Sequence, residues 1–112
     1  MEKLRVVLAN EPRAYRETLA EALRNLCPRA AVVIVEPAAL PEHVRRCAPH
    51  LVLGSDLDPA LLPGPVCWVD LYPHGERYAV ISIGGERTTV GHLDLAGLLR
   101  LVEQTECLAG TV

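Results

Sequence analysis

The chain has no surplus of positive charge. Eleven basic residues stand against fourteen acidic ones, a formal net charge of −3 over 112 residues. Nucleic acid, which needs a basic face, is therefore not an expected partner. Lysine is almost missing, since Lys3 is the only one beside ten arginines. No apolar run approaches the roughly 20 residues that span a bilayer, so no membrane association is expected. No secretory leader pattern is present either, because Glu2 and Lys3 are followed at once by strand-like sequence, and a cytoplasmic location is expected. Cys27, Cys47, Cys67 and Cys107 lie far apart, with no Cys-x-x-Cys and no Cys/His pair at zinc spacing. Buried reduced thiols are the expectation, with no metal and no cofactor. Linkers, repeats and low-complexity segments are also lacking, so residues 1–112 are read as one domain.

Catalytic signatures are missing too. Gly54-Ser55 lacks the Gly-x-Ser-x-Gly frame of a nucleophile elbow. Gly84-Gly85 is followed by no Lys-Ser/Thr and is no phosphate loop. His43, His50, His74 and His92 are scattered. His92 near Asp94 reads either as an acid/base pair or as part of the turn opening the last helix. No nucleophile, base and orienting group can be named together, so no enzyme is expected and no catalytic residue is assigned.

What is present is a pattern of elements. Leu4 to Ala9 is apolar apart from Arg5, as expected for a strand covered on both faces. Asn10 is placed to cap the helix that follows, and Pro12 suits its first turn. Tyr15, Leu19, Ala22, Leu23 and Leu26 recur at helical spacing, with Arg16, Glu17, Glu21, Arg24 and Asn25 opposite, and Pro28 closes the helix. Ala31 to Val35 is a second strand, Pro37 to Ala48 a short helix with Leu40, Val44 and Cys47 facing in, and Leu51 to Leu53 a third strand. This β-α-β-α-β order predicts a parallel, helix-covered sheet. Pro59, Pro63 and Pro65 then leave room for little more than a helical turn over 58–62. Val66 to Val69 is a fourth strand. Tyr78 to Ile83 and Glu86 to Val90, around Gly84-Gly85, predict a hairpin where a doubly wound fold places a helix. The second of those strands must lie inside the sheet or be covered by a second subunit. Asp94 caps a last helix, whose core stripe is Leu95, Leu98, Leu99 and Val102. Gly97 within it weakens the helix and permits close packing. Trp68, Tyr72 and Tyr78 are placed in the core, although Tyr72-Pro73-His74-Gly75 reads as a loop whose aromatic ring is a recognition element if exposed.

On the turn Asn10-Glu11-Pro12 and the strand Pro49 to Ser55, the N-terminal half resembles the receiver domain of bacterial response regulators, over residues 3 to about 58. Ala9 to Glu17 is also similar to the start of short stand-alone bacterial proteins described as regulators. The resemblance implies an α/β, flavodoxin-like, receiver-type three-layer sandwich, with a parallel sheet and a β-hairpin replacing a late helix. It also implies a degenerate, pseudo-receiver pocket. The acidic pair that holds Mg²⁺ in receivers falls on Ala9-Asn10 or Asn10-Glu11, the phosphate-accepting Asp on Ser55, the switch hydroxyl on Asp70, and the Lys on Gly91. Asp56 takes the acceptor place only if a bulge shifts the strand by one residue. The implied role is non-catalytic regulation or signalling, in the manner of two-component systems but without aspartyl phosphorylation. It acts through protein–protein contact with an unidentified partner and through homo-oligomers. The alternative is a sensor of a small ligand or divalent metal at the acidic C-terminal edge, where Glu11, Asp56, Asp58 and Asp70 gather. Against a cation site, Asp56 and Asp58 read more readily as caps of the turn before Pro59, a common job for Asp.

Overall fold

A computed structural model describes residues 3–62, 66–72 and 76–110. In chain order these form β1 (Leu4–Ala9), α1 (Arg13–Leu26), β2 (Ala30–Ile34), a 3₁₀ turn (Pro37–Ala39), α2 (Leu40–Cys47), β3 (Leu51–Gly54), a second 3₁₀ turn (Pro59–Leu61), β4 (Cys67–Leu71), β5 (Ala79–Ile83), β6 (Glu86–Val90) and α3 (Leu95–Gly110). The six strands make one mixed sheet in the order β2-β1-β3-β4-β5-β6. The expected all-parallel core holds for the first four strands of that order, and β5 and β6 add antiparallel to its end.

Strand alternation divides the core in two. Val6, Leu8, Leu51, Leu53, Val69 and Ile81 face one way and pack with Leu19 and Leu23 of α1 and Leu98 and Val102 of α3. Val7, Ala9, Val52 and Trp68 face the other way and pack with Leu40 and Val44 of α2. Helices therefore cover both faces, which is why β3 reads as an unbroken apolar run and β1 as one interrupted only at Arg5. Arg5, the one polar residue of β1, sends its guanidinium to the carbonyls of Cys47 (3.1 Å) and Ala48 (2.9 Å), closing the C-terminus of α2.

Several sequence expectations shift. The inward stripe of α1 is Arg16, Leu19, Ala20 and Leu23, while Leu26 is 53% exposed. In α3 the buried set is Leu98, Leu101, Val102 and Thr105, and Leu95 is exposed because it lies in the first turn, before the helix meets the sheet. Thr105 is satisfied internally, donating to the Leu101 carbonyl at 2.8 Å. Of the cysteines only Cys67 is buried; Cys27 is half-buried, and Cys47 and Cys107 are exposed because both stand at or beyond the ends of the inward helical stripes. Trp68 is buried, whereas Tyr72 and Tyr78 are half-buried. His74 and the rest of the loop expected after Tyr72 lie outside the described residues, as do Pro63 and Pro65.

The hairpin is as expected. Gly84 and Gly85 both take positive φ (61° and 87°), the two-residue turn that matches strand twist and that only glycine enters freely. Asp94 caps α3, its Oδ1 accepting the Gly97 N–H at 2.8 Å. At Gly97 an added Cβ would meet Leu93 Cδ1 at 3.0 Å, so the glycine serves close packing there.

Candidate functional site

The chain turns back on itself at β1: β2 lies on one side of it and β3 on the other. In open α/β sheets the crevice at such a reversal, beyond the strands' carboxyl ends, is where ligands bind. Asn10 and Glu11 follow β1, Ser55 and Asp56 follow β3, and Asp70 lies in β4 opposite Gly54. The sequence-predicted residues thus do converge on one edge.

Two of these side chains, Ser55 and Asp70, hold backbone. Ser55 Oγ accepts the Glu11 N–H at 2.9 Å, tying the loop after β3 to the loop after β1. Asp70 is buried, and both of its carboxylate oxygens take backbone N–H groups of the β3 loop: Oδ1 from Asp56 at 2.8 Å and Oδ2 from Leu57 at 3.1 Å. Asp56 turns the chain with φ 53°, a conformation that Asp tolerates better than most residues. Asp58 Oδ1 accepts the Ala60 N–H at 3.0 Å and caps the second 3₁₀ turn. Gly54 makes the fold-back possible, because a Cβ there would lie 2.3 Å from Leu57 Cδ2. The register of β3 with β1 and β4 is continuous through Gly54, without the bulge that would move Asp56 into the place of Ser55.

Asn10 does not cap α1. It is fully buried, the helix starts at Pro12 without a side-chain cap, and neither Asn10 Oδ1 nor Nδ2 meets a hydrogen-bond partner among the described residues. Beside it Arg16, 2% exposed, reaches the Asn10 carbonyl and Glu36 Oε1, each at 3.5 Å, and its Nε is likewise without a partner among the described residues. Arg16 was missed because it was assigned to the outer face of α1. The signal was available, since Arg16-Leu19-Ala20-Leu23 is itself an i, i+3, i+4, i+7 stripe. Next to Arg16, Tyr15 is half-buried; burial and the neighbouring Tyr72 push its hydroxyl above the usual tyrosine range.

A cleft of about 190 Å³ opens at this edge on the α2 side, between Pro37, Leu40 and Pro41 and the loop of Ser55, Asp56, Leu57 and Asp58. A second cavity, about 250 Å³, lies at the opposite edge among Leu4, Cys27, Arg29, Leu99, Glu103 and Glu106. Burial first, then Glu106 and Glu103, raise the Cys27 thiol above its ordinary value. Among the described residues no three His, Cys, Asp or Glu side chains gather as a metal site.

Chemically, the edge offers a braced loop, exposed acidic residues at Glu11, Asp56 and Asp58, and an apolar cleft with an acidic rim. No protein-family model, curated protein or solved structure matches the chain.

Proposed function

We propose that the chain is a receiver-like regulatory module of the flavodoxin-like kind that works without aspartyl phosphorylation and without catalysis, through contact with protein partners, including itself. The observation that carries this reading is the use of Asp70 and Ser55. Each stands where the receiver resemblance puts a group that handles phosphate, and each instead accepts backbone N–H groups that fasten the edge loops. A buried carboxylate repels a phosphoryl group at the position where receivers bind one. Phosphoryl transfer rests on positioning and charge neutralisation, so loss of several parts together abolishes it.

The test is intact-mass spectrometry after incubation with acetyl phosphate and Mg²⁺, beside an active receiver treated identically. No mass gain is expected. A phosphate-sized gain that disappears in Asp56→Ala would overturn the reading. The cleft on the α2 side supports a second reading, a small-ligand sensor whose ligand contacts Asp56 and Asp58 over an apolar floor. Such a ligand raises thermal stability on binding, by roughly 2.7 kcal/mol at a hundred times its Kd.

A further inference from the structure

The two edges of the sheet are protected unequally. At the β2 edge, Arg24 folds over and donates to the Val32 carbonyl at 3.0 Å, occupying the strand's open side. Among the described residues the β6 edge has no such guard. Glu86 to Val90 contains no proline and no bulge, and Arg87, the residue best suited to shield the edge, instead lies over the Trp68 ring at 5.3 Å. Three β-branched residues, Thr88, Thr89 and Val90, complete a largely exposed strand.

The hairpin turn determines which backbone groups face outward. With the two-residue loop Gly84-Gly85, Ile83 and Glu86 form a hydrogen-bonded pair, and the pairs alternate from there. Glu86, Thr88 and Val90 therefore direct their N–H and C=O groups to β5, and Arg87 and Thr89 direct theirs away from the sheet. Among the described residues no group outside the hairpin hydrogen-bonds to the backbone of Arg87 or Thr89. The open edge is thus two residues long, with one residue between them.

We propose that this edge pairs with β6 of a second copy of the chain, antiparallel about a two-fold axis through Thr88, giving one continuous sheet across the dimer. The strand is self-complementary in that register alone. Arg87 of one copy stands opposite Thr89 of the other, and vice versa, so all four outward N–H groups and all four outward C=O groups of the two strands are paired. Glu86 falls opposite Val90, and Thr88 meets its own copy. Sliding by one step in one direction sets Arg87 against Arg87, a like-charge pair that disfavours association. Sliding in the other direction sets Thr89 against Thr89 and Arg87 against Gly91, outside the strand. An isologous contact of this kind closes at two copies and does not propagate. The inference rests on the reading above in taking contact with a second copy as part of the function, and it names β6 as the face that makes it.

Two measurements on the full chain test it. Sedimentation equilibrium is expected to show a dimer for the wild type and a monomer for Thr89→Pro, which removes an outward N–H without touching a β5 bond. Circular dichroism confirms that the variant is folded. In a background of Cys47→Ser and Cys107→Ser, Thr88→Cys is expected to oxidise readily to a covalent dimer. Paired across the axis without mutual hydrogen bonds, the two Cα atoms stand about 4.5 Å apart, within disulfide range. Arg87→Cys and Thr89→Cys, placed opposite unlike residues, are expected to cross-link far less. A monomeric wild type overturns the proposal, as does a dimer that cross-links equally at all three positions. The mass measurement described above fails or holds independently. Phosphorylation of a β6 dimer would remove the regulatory reading alone, and an unphosphorylated monomer would remove this inference alone.

Discussion

Residue by residue, the edge of this sheet is built from groups that have one task each. Asp70 is the clearest, with both oxygens occupied by N–H groups of a loop it does not belong to. Asp70→Asn keeps the shape but turns one acceptor into a donor facing a donor. The expected loss is about 2 kcal/mol, read as a fall in Tm of roughly 8 °C. Ser55→Ala leaves only the Glu11 N–H, on an exposed residue, without its acceptor, and costs about 1 kcal/mol or less. The cysteines separate by exposure. Alkylation with iodoacetamide, followed by mass, is expected to modify Cys47 and Cys107 first, Cys27 much more slowly, and Cys67 only on unfolding. Ser55 and Asp70 were singled out by the receiver resemblance, which places them after the third and fourth strands; Asp70 in fact lies within β4. Their partners were not legible, since backbone N–H groups carry no sequence signature. Arg16 was misplaced for a related reason, in that a charge was assumed to face water when its guanidinium in fact reaches past the end of β1.

At the scale of elements, the sequence was most readable where burial on both faces forces nearly continuous apolar runs, as in β1 and β3. It was least readable at the ends of helices. By period alone Leu26, Leu95 and Cys47 all read as inward, yet each is the first or last residue of its helix and is exposed. The hairpin was legible because two adjacent glycines between β-branched runs have one economical conformation. Gly85→Ala forces a side chain into positive φ and is expected to destabilise the hairpin by about 1 kcal/mol, with loss of stability seen in urea melts. That variant also reports on self-association, since a frayed β6 pairs poorly with a second copy.

At the scale of the whole molecule, two consequences follow from the layered arrangement. First, stability declines on the alkaline side. Tyr15 and Cys27 both hold their protons more tightly in the folded chain than their ordinary values of 10.0 and 9.0. The folded state therefore binds more protons than the unfolded one in that range. Their contribution is complete below pH about 9 and is lost as pH rises through the raised folded values. Tm measured between neutral pH and about pH 10.5 is expected to fall, and Cys27→Ala is expected to flatten the early part of that fall. Second, the two ends of the sheet differ: Arg24 donates to the backbone at the β2 edge, and the β6 edge is the one proposed to pair with a second copy. At the strands' carboxyl ends, Ser55 and Asp70 form a rim whose side chains accept backbone N–H groups. The most direct measurement of that rim is amide hydrogen exchange by NMR. If Ser55 and Asp70 are braces, the amides of Glu11, Asp56 and Leu57 exchange slowly although they lie in loops, and Asp70→Asn releases Leu57 selectively. Fast exchange at all three in the wild type would show these side chains to be uncommitted, and would contradict the account.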